Sequence, residues 1–327
     1  MKTIPKRFFA LFLIGLFVSP LLHARAADEN GKKPLTIYGL KGPSGVGIIR
    51  LFDNPPKIPG FDVKVEALAQ SGLVAARLIS GEAKIGILPP DVAAKIASSG
   101  KDLRAAAVIG AGMLSLLCSD PGVRTIEDLR GKNIEVAGQG TTPYHVFRRI
   151  LAYKGIDPDR DLKLGYSLAY PEIALSLISG KVTIALLPEP FATMALMGKP
   201  ELRTISDIQE EWIASGGGKN FPITLLVVDG SFADANPSAV AEILSDVKNS
   251  IEWVVSHPIE AGVLSEKHEL GLKAAVVTAA IPKSNYVFIP AAEARPSLEA
   301  LYRVFLENAP ASIGGAMPRD GFYLNEK

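Results

Sequence analysis

The chain has 327 residues, 48% of them hydrophobic, with 35 Lys and Arg against 34 Asp and Glu. That balance removes the basic footprint on which nucleic-acid binding depends, and the length leaves room for two apolar cores. The single cysteine, Cys118, excludes an intramolecular disulfide and reads, after Leu116 and Leu117, as a buried structural thiol. The four histidines (23, 145, 257 and 268) show no metal-ligand spacing.

Lys2, Lys6 and Arg7 precede an apolar run from Phe8 to Leu22, and Ala24-Arg25-Ala26 follows it. This order of charge, apolar stretch and small residues reads as a cleavable signal peptide over residues 1–26. The expectation is therefore an exported, periplasmic protein beginning at Ala27. The run is short for a membrane span, and no cysteine stands at the cleavage point to carry a lipid.

From Leu35 onward, short β-like runs alternate with helix-like ones, the pattern of an α/β protein built on mostly parallel sheets. Strands are expected at Leu35 to Gly39, Phe61 to Ala69 and Ile85 to Leu88. Ser71 is the expected N-cap of a helix closed by Gly81. Leu103 to Cys118 reads as one long apolar β-like stretch, ending in a polar turn at Ser119 to Gly122. Further strands are expected at Ile134 to Ala137, Leu162 to Ser167, Val182 to Leu187 and Ile223 to Val228. Helices are expected from Pro143 to Lys154, from Pro237 to Val255, near Leu272 to Ala280 and from Arg295 to Glu307.

Ile79 to Ala93 and Ile178 to Ala192 repeat each other: Ile-Ser-Gly-Glu-Ala-Lys-Ile-Gly-Ile-Leu-Pro-Pro-Asp-Val-Ala and Ile-Ser-Gly-Lys-Val-Thr-Ile-Ala-Leu-Leu-Pro-Glu-Pro-Phe-Ala. Each reads as a helix end, a Gly cap, a buried strand and a Pro-bearing loop into the next helix. Two matched lobes follow. Residues 27–118 and 222–327 would form one and residues 119–221 the other, with hinge crossings near Ser119 and Phe221.

Thr125-Ile-Glu-Asp-Leu-Arg-Gly-Lys, Gly138-Gln-Gly-Thr-Thr-Pro, Leu187-Pro-Glu-Pro-Phe-Ala, Ser250-Ile-Glu-Trp-Val and Ser312-Ile-Gly-Gly-Ala-Met-Pro-Arg-Asp-Gly-Phe-Tyr together carry a resemblance. They resemble ABC transporter substrate-binding proteins of the nitrate/sulfonate/taurine and thiamine-precursor type, over nearly the whole chain after the leader. The resemblance implies the type II periplasmic-binding-protein clamshell, no cofactor, and delivery of a small molecule by a monomer to a membrane permease and its ATPase. A yeast relative makes the thiamine pyrimidine with a Cys-rich motif. This chain lacks that motif, and the activity is not carried over.

Ligands of open α/β sheets sit at strand C-termini and helix N-termini. In this chain those places hold Gly42, Ser44 and Gly45, then Gln70 and Ser71, then Pro90 and Asp91. In the second lobe they hold Gln139, Gly140, Thr141, Thr142 and Tyr144, then Tyr170, then Glu189. The glycines allow backbone approach, and free helix N–H groups with Ser and Thr hydroxyls suit an anion such as a sulfonate or carboxylate; the same residues are also ordinary helix caps. Asp91 and Glu189, read as equivalents in the two repeats, would instead favour an N–H donor such as an aminopyrimidine or amine. Tyr144 and Tyr170 offer flat surfaces for a ring. No catalytic residue is required. The alternatives are an exported enzyme using the two carboxylates as an acid/base pair, which turnover would reveal, and a clamshell sensor.

Overall fold

The computed structural model describes residues 31–325. The expected signal segment and the expected start at Ala27 lie outside them. Among the described residues no helix is long and apolar enough to cross a membrane.

Eleven strands are named among these residues. They are β1 (Lys33–Leu40), β2 (Phe61–Leu68), β3 (Ile85–Leu88), β4 (Leu103–Ala111), β5 (Leu114–Cys118), β6 (Asn133–Val136), β7 (Lys163–Gly165), β8 (Ile184–Pro188), β9 (Arg203–Asp207), β10 (Pro222–Asp229) and β11 (Tyr286–Pro290). They form two sheets. The first runs β11-β4-β10-β3-β1-β2 and the second β7-β6-β8-β5-β9.

Apart from the edge strand β11 the two orders are the same plan. β1 pairs in parallel with β2 and β3, as β6 does with β7 and β8. In each sheet the next strand, β10 or β5, is antiparallel to both of its neighbours. It is also the strand by which the chain arrives from the other sheet. β3 and the start of β8 carry the repeated Ile-x-x-Leu segment and are buried along their whole length, so neither face tolerates a polar side chain. The helix Ser71–Ser80 lays Val74 and Leu78 on this layer with no exposure, each contributing about 1.5 to 3 kcal/mol of burial.

Three expectations need correction. The apolar stretch to Cys118 is two strands: β4 belongs to the first sheet and β5 pairs with β8 and β9 in the second. The outgoing crossing is therefore Gly112-Met113 and not Ser119 to Gly122. Ser71 is the first helical residue, the N-cap is Gln70, and no side chain caps that end. β9, β11 and the helices Ile208–Ala214 and Pro258–Lys267 have no counterpart in the sequence reading.

The two crossings lie side by side. The Gly112 N–H donates to the Phe221 carbonyl at 3.1 Å. Gln209, from the helix Ile208–Ala214 that Asp207 caps, donates to the Lys219 carbonyl at 2.8 Å and accepts from the Phe221 N–H at 3.5 Å. Trp212 of the same helix is fully buried and meets Phe221 edge to face.

Gly112 has φ +60°, and a Cβ there would lie 2.1 Å from Gln209 Oε1. Gly140 has φ +82° with open space around it. Gly140→Ala should therefore cost only the backbone strain, about 1 kcal/mol, while Gly112→Ala adds the displaced Gln209 and should cost about 2 to 3 kcal/mol. Urea denaturation of the two variants measures the difference, and equal costs would show that Gln209 moves aside freely.

Candidate functional site

Because β1, β2 and β3 run parallel, their C-terminal ends share one edge of the first sheet, and β6, β7 and β8 do the same in the second. The loops after these strands meet between the lobes. Asp91 Oδ1, in the first turn of the helix Pro90–Ser98, accepts from Thr142 Oγ1, at the start of the helix Thr142–Tyr153, at 3.3 Å. Asp91 and Thr142 are both buried. Tyr302 donates to the Pro90 carbonyl at 3.2 Å and fixes that loop from behind. Tyr170 stacks on Phe191 with ring centroids 5.8 Å apart, and a side chain at Gly42 would meet the Phe191 ring at 3.8 Å. Gly42, Asp91, Thr142, Tyr170 and Phe191 thus line the seam where the lobes touch, with Pro90 beside Asp91.

Glu189 lies beyond β8, 3% exposed. Its N–H donates to the Met113 carbonyl at the crossing, 2.9 Å away. Its Oε2 accepts from the Thr193 N–H at 3.0 Å, so the carboxylate satisfies the start of the helix Phe191–Gly198. In register, the strand-ending Pro188 matches Pro89, so Glu189 matches Pro90 and Asp91 matches Pro190. The carboxylates are staggered by one residue and are not equivalents.

Burial dominates the electrostatics. It pushes the Asp91 carboxyl up to about 6, against hydrogen bonds from nearby backbone and from Thr142. Burial also raises Glu189, against hydrogen bonds from Thr193 and the weaker pull of Lys283. The Tyr170 phenol is raised by burial first and by the Asp91 charge second. No Lys or Arg is among the buried residues described, so neither carboxylate has a buried cation beside it.

The other sequence candidates stand differently. Gln70 and Gln139 are exposed; Ser44, Ser71 and Gly140 are half-buried. The open side of Gly45 is filled by the Leu40 carbonyl and Leu270, which is packing within the first lobe. Thr141 Oγ1 donates to the Gly138 carbonyl at 2.6 Å and closes its own turn. Tyr144 is engaged by His145, Tyr166 and the Arg148 guanidinium, so its ring already has neighbours on several sides. Phe191, Thr193, Tyr302 and Tyr286, whose hydroxyl donates to the Pro43 carbonyl at 3.0 Å, are not singled out in the sequence. Only Phe191 carried a signal, as part of the repeated Pro loop. A separate depression of about 1650 Å³, lined by residues such as Leu103, Leu244 and Met317, opens near the N-terminal end of β4, away from the strand C-termini.

Residues 57–261 match the family model described as NMT1/THI5 like, and the chain belongs to that family. No curated protein matches it in sequence. Among solved structures it is similar to an ABC transporter from Parabacteroides distasonis, with 24% identity and a TM-score of 0.78 over 90% of this chain and 100% of that one. It is also similar to the periplasmic aliphatic sulphonate binding protein SsuA from Escherichia coli, with 16% identity and a TM-score of 0.70 over 90% and 94%. The periplasmic nitrate-binding protein NrtA from Synechocystis PCC 6803 follows with 14% identity and a TM-score of 0.57 over 75% and 69%. The fold is the two-lobed clamshell of periplasmic binding proteins.

An Asp whose pKa is raised on folding binds its proton more tightly in the native state, so stability falls as pH rises from about 4 to 6. Asp91→Asn keeps an acceptor for Thr142 and removes that charge. It should raise the unfolding free energy at pH 7.5 by about 1 to 3 kcal/mol and change it little near pH 4. Urea melts at both pH values test this, and an equal effect at the two would show that ionisation is not the cause.

Proposed function

We propose that this chain is the solute-binding component of an ABC importer, working outside the cytoplasm and handing a small organic molecule to a permease and its ATPase. The family membership supports the class, and the seam between two matched lobes is where a ligand would make contacts to both. Contacts to both lobes are the differential interaction that drives closure. The rotation would be absorbed at Gly112-Met113 and at Phe221, where the chain changes lobe.

The buried carboxylates carry the ligand class. Asp91 and Glu189 lie near the facing strand ends without a buried Lys or Arg beside them, and ionised carboxylates accept hydrogen bonds only. A ligand with N–H donors, such as an aminopyrimidine-like compound or an amine, satisfies them, and Tyr170 on Phe191 gives it an aromatic wall. A sulfonate or carboxylate is the second reading, favoured by the free N–H groups at the start of the helix Thr142–Tyr153 and by the similarity to a sulphonate binding protein.

A thermal-shift screen over sulfonates, carboxylates, nitrate, pyrimidines and aromatic amines identifies ligands, since a hundredfold excess over Kd stabilises by about 2.7 kcal/mol. With a hit in hand, Glu189→Gln should weaken a nitrogenous ligand by about 1.5 to 3 kcal/mol by calorimetry. It should leave an anion bound equally or more tightly. No change for any ligand would reduce Glu189 to its contact with Thr193. Saturating ligand should also shrink the particle in small-angle scattering. An unchanged radius would argue against a hinge.

A further inference from the structure

Two buried ionisable side chains of opposite type sit where one lobe meets the other. Asp91, on the first lobe, is sealed against Thr142 of the second at 3.3 Å. The charged or titratable groups around it are Tyr170 from the second lobe, Tyr302 from its own lobe and Lys95 one turn along its own helix. His145, on the second lobe, is 2% exposed. Its ring lies 4.8 Å from that of Phe305, which belongs to the helix Ala291–Asn308 of the first lobe. Arg148 and Tyr144 on its own helix and the Gly140 backbone complete its surroundings. Neither ring nitrogen makes a well-formed hydrogen bond, and neither Asp91 nor His145 is in an ion pair.

Thr142 and His145 are three residues apart on one helix, so they share a face and turn toward the first lobe together. A single movement that parts the lobes unseals both Asp91 and His145.

We propose that parting the lobes moves protons in opposite directions at these two places, Asp91 releasing one as His145 takes one up, so that opening and closing stay nearly independent of pH in the weakly acid range. When closed, Asp91 holds its proton up to about pH 6 and His145 stays neutral down to about pH 4, both through burial. Once hydrated, each returns toward its ordinary value of 3.8 or 6.5. Near pH 5 the open form has therefore lost a proton at Asp91 and gained one at His145, and the net exchange at these two side chains is close to zero. A carboxylate or an imidazole alone at the seam would make closure depend on acidity. The opposed pair cancels that dependence.

The proposal rests on the two-lobe hinge of the preceding subsection. Spin labels on Lys64→Cys and Lys163→Cys, exposed on β2 and β7, report the distance between lobes from pH 4.5 to 7.5. In the otherwise unaltered chain the ratio of open to closed should hold within about twofold. Asp91→Asn leaves His145 alone, and acid should then open the protein by on the order of tenfold between pH 7.5 and 5. His145→Phe leaves Asp91 alone, and the same acidification should close it by a similar factor. The double variant should be flat again. Should a variant not fold, the ring proton resonances of His145 in the closed form of the labelled chain give the answer directly, with neutrality down to about pH 4.5 expected and a midpoint near 6.5 in that closed form overturning the proposal. One fixed distance in every variant at every pH would defeat the hinge itself. Two distances whose ratio shifts with pH in the unaltered chain, or stays flat in the single variants, would defeat only the proton exchange.

Discussion

A strand that enters a sheet from the edge where parallel strands end has to run against them. That constraint organises the molecule. β5 and β10 both enter this way, and both are antiparallel to each of their neighbours. The crossings are thereby fixed at the C-terminal edges of both sheets, where helix N-termini and their unpaired N–H groups also lie. The Gly112 to Phe221 hydrogen bond ties the crossings together at that edge, so the line about which the lobes would turn runs beside the residues that would hold a ligand.

The same edge explains why carboxylates are tolerated there without buried cations. Asp91 lies in the first turn of a helix, and Glu189 accepts from the first turn of another, so the partial positive charge of each helix start offsets part of the burial cost. The offset is incomplete, since both groups still titrate above their ordinary values. What remains is an attraction for a donor or a proton, which is how a seam between lobes can stay closed by either.

Much of the fold was legible because burial on both faces writes a strong sequence signal. β3 and β8 are short apolar runs closed by Pro loops, and their repetition in the sequence is enough to mark two matched lobes. β9 was not legible, because Arg-Thr-Ile-Ser-Asp lies half exposed at a sheet edge and lacks a sustained apolar pattern. The first crossing is hidden in the sequence for the opposite reason. Leu103 to Cys118 is apolar throughout, and only Gly112-Met113 marks the change of sheet. At the site, residues on repeated loops were visible, while Tyr302 and Tyr286 come from elements whose inward faces read simply as core.

The stagger between the repeats is the last consequence of that edge. Had Pro-Pro-Asp and Pro-Glu-Pro kept the same order, both lobes would present their carboxylates in the same way. Instead Asp91 is held across the seam by Thr142, and Glu189 is held within its own lobe by Thr193. The first contact exists only while the lobes touch, whereas the second is indifferent to their separation. Duplication supplied two similar walls, and a shift of one residue in the loop gave one carboxylate a hydrogen bond across the seam and the other a hydrogen bond to the helix that follows it.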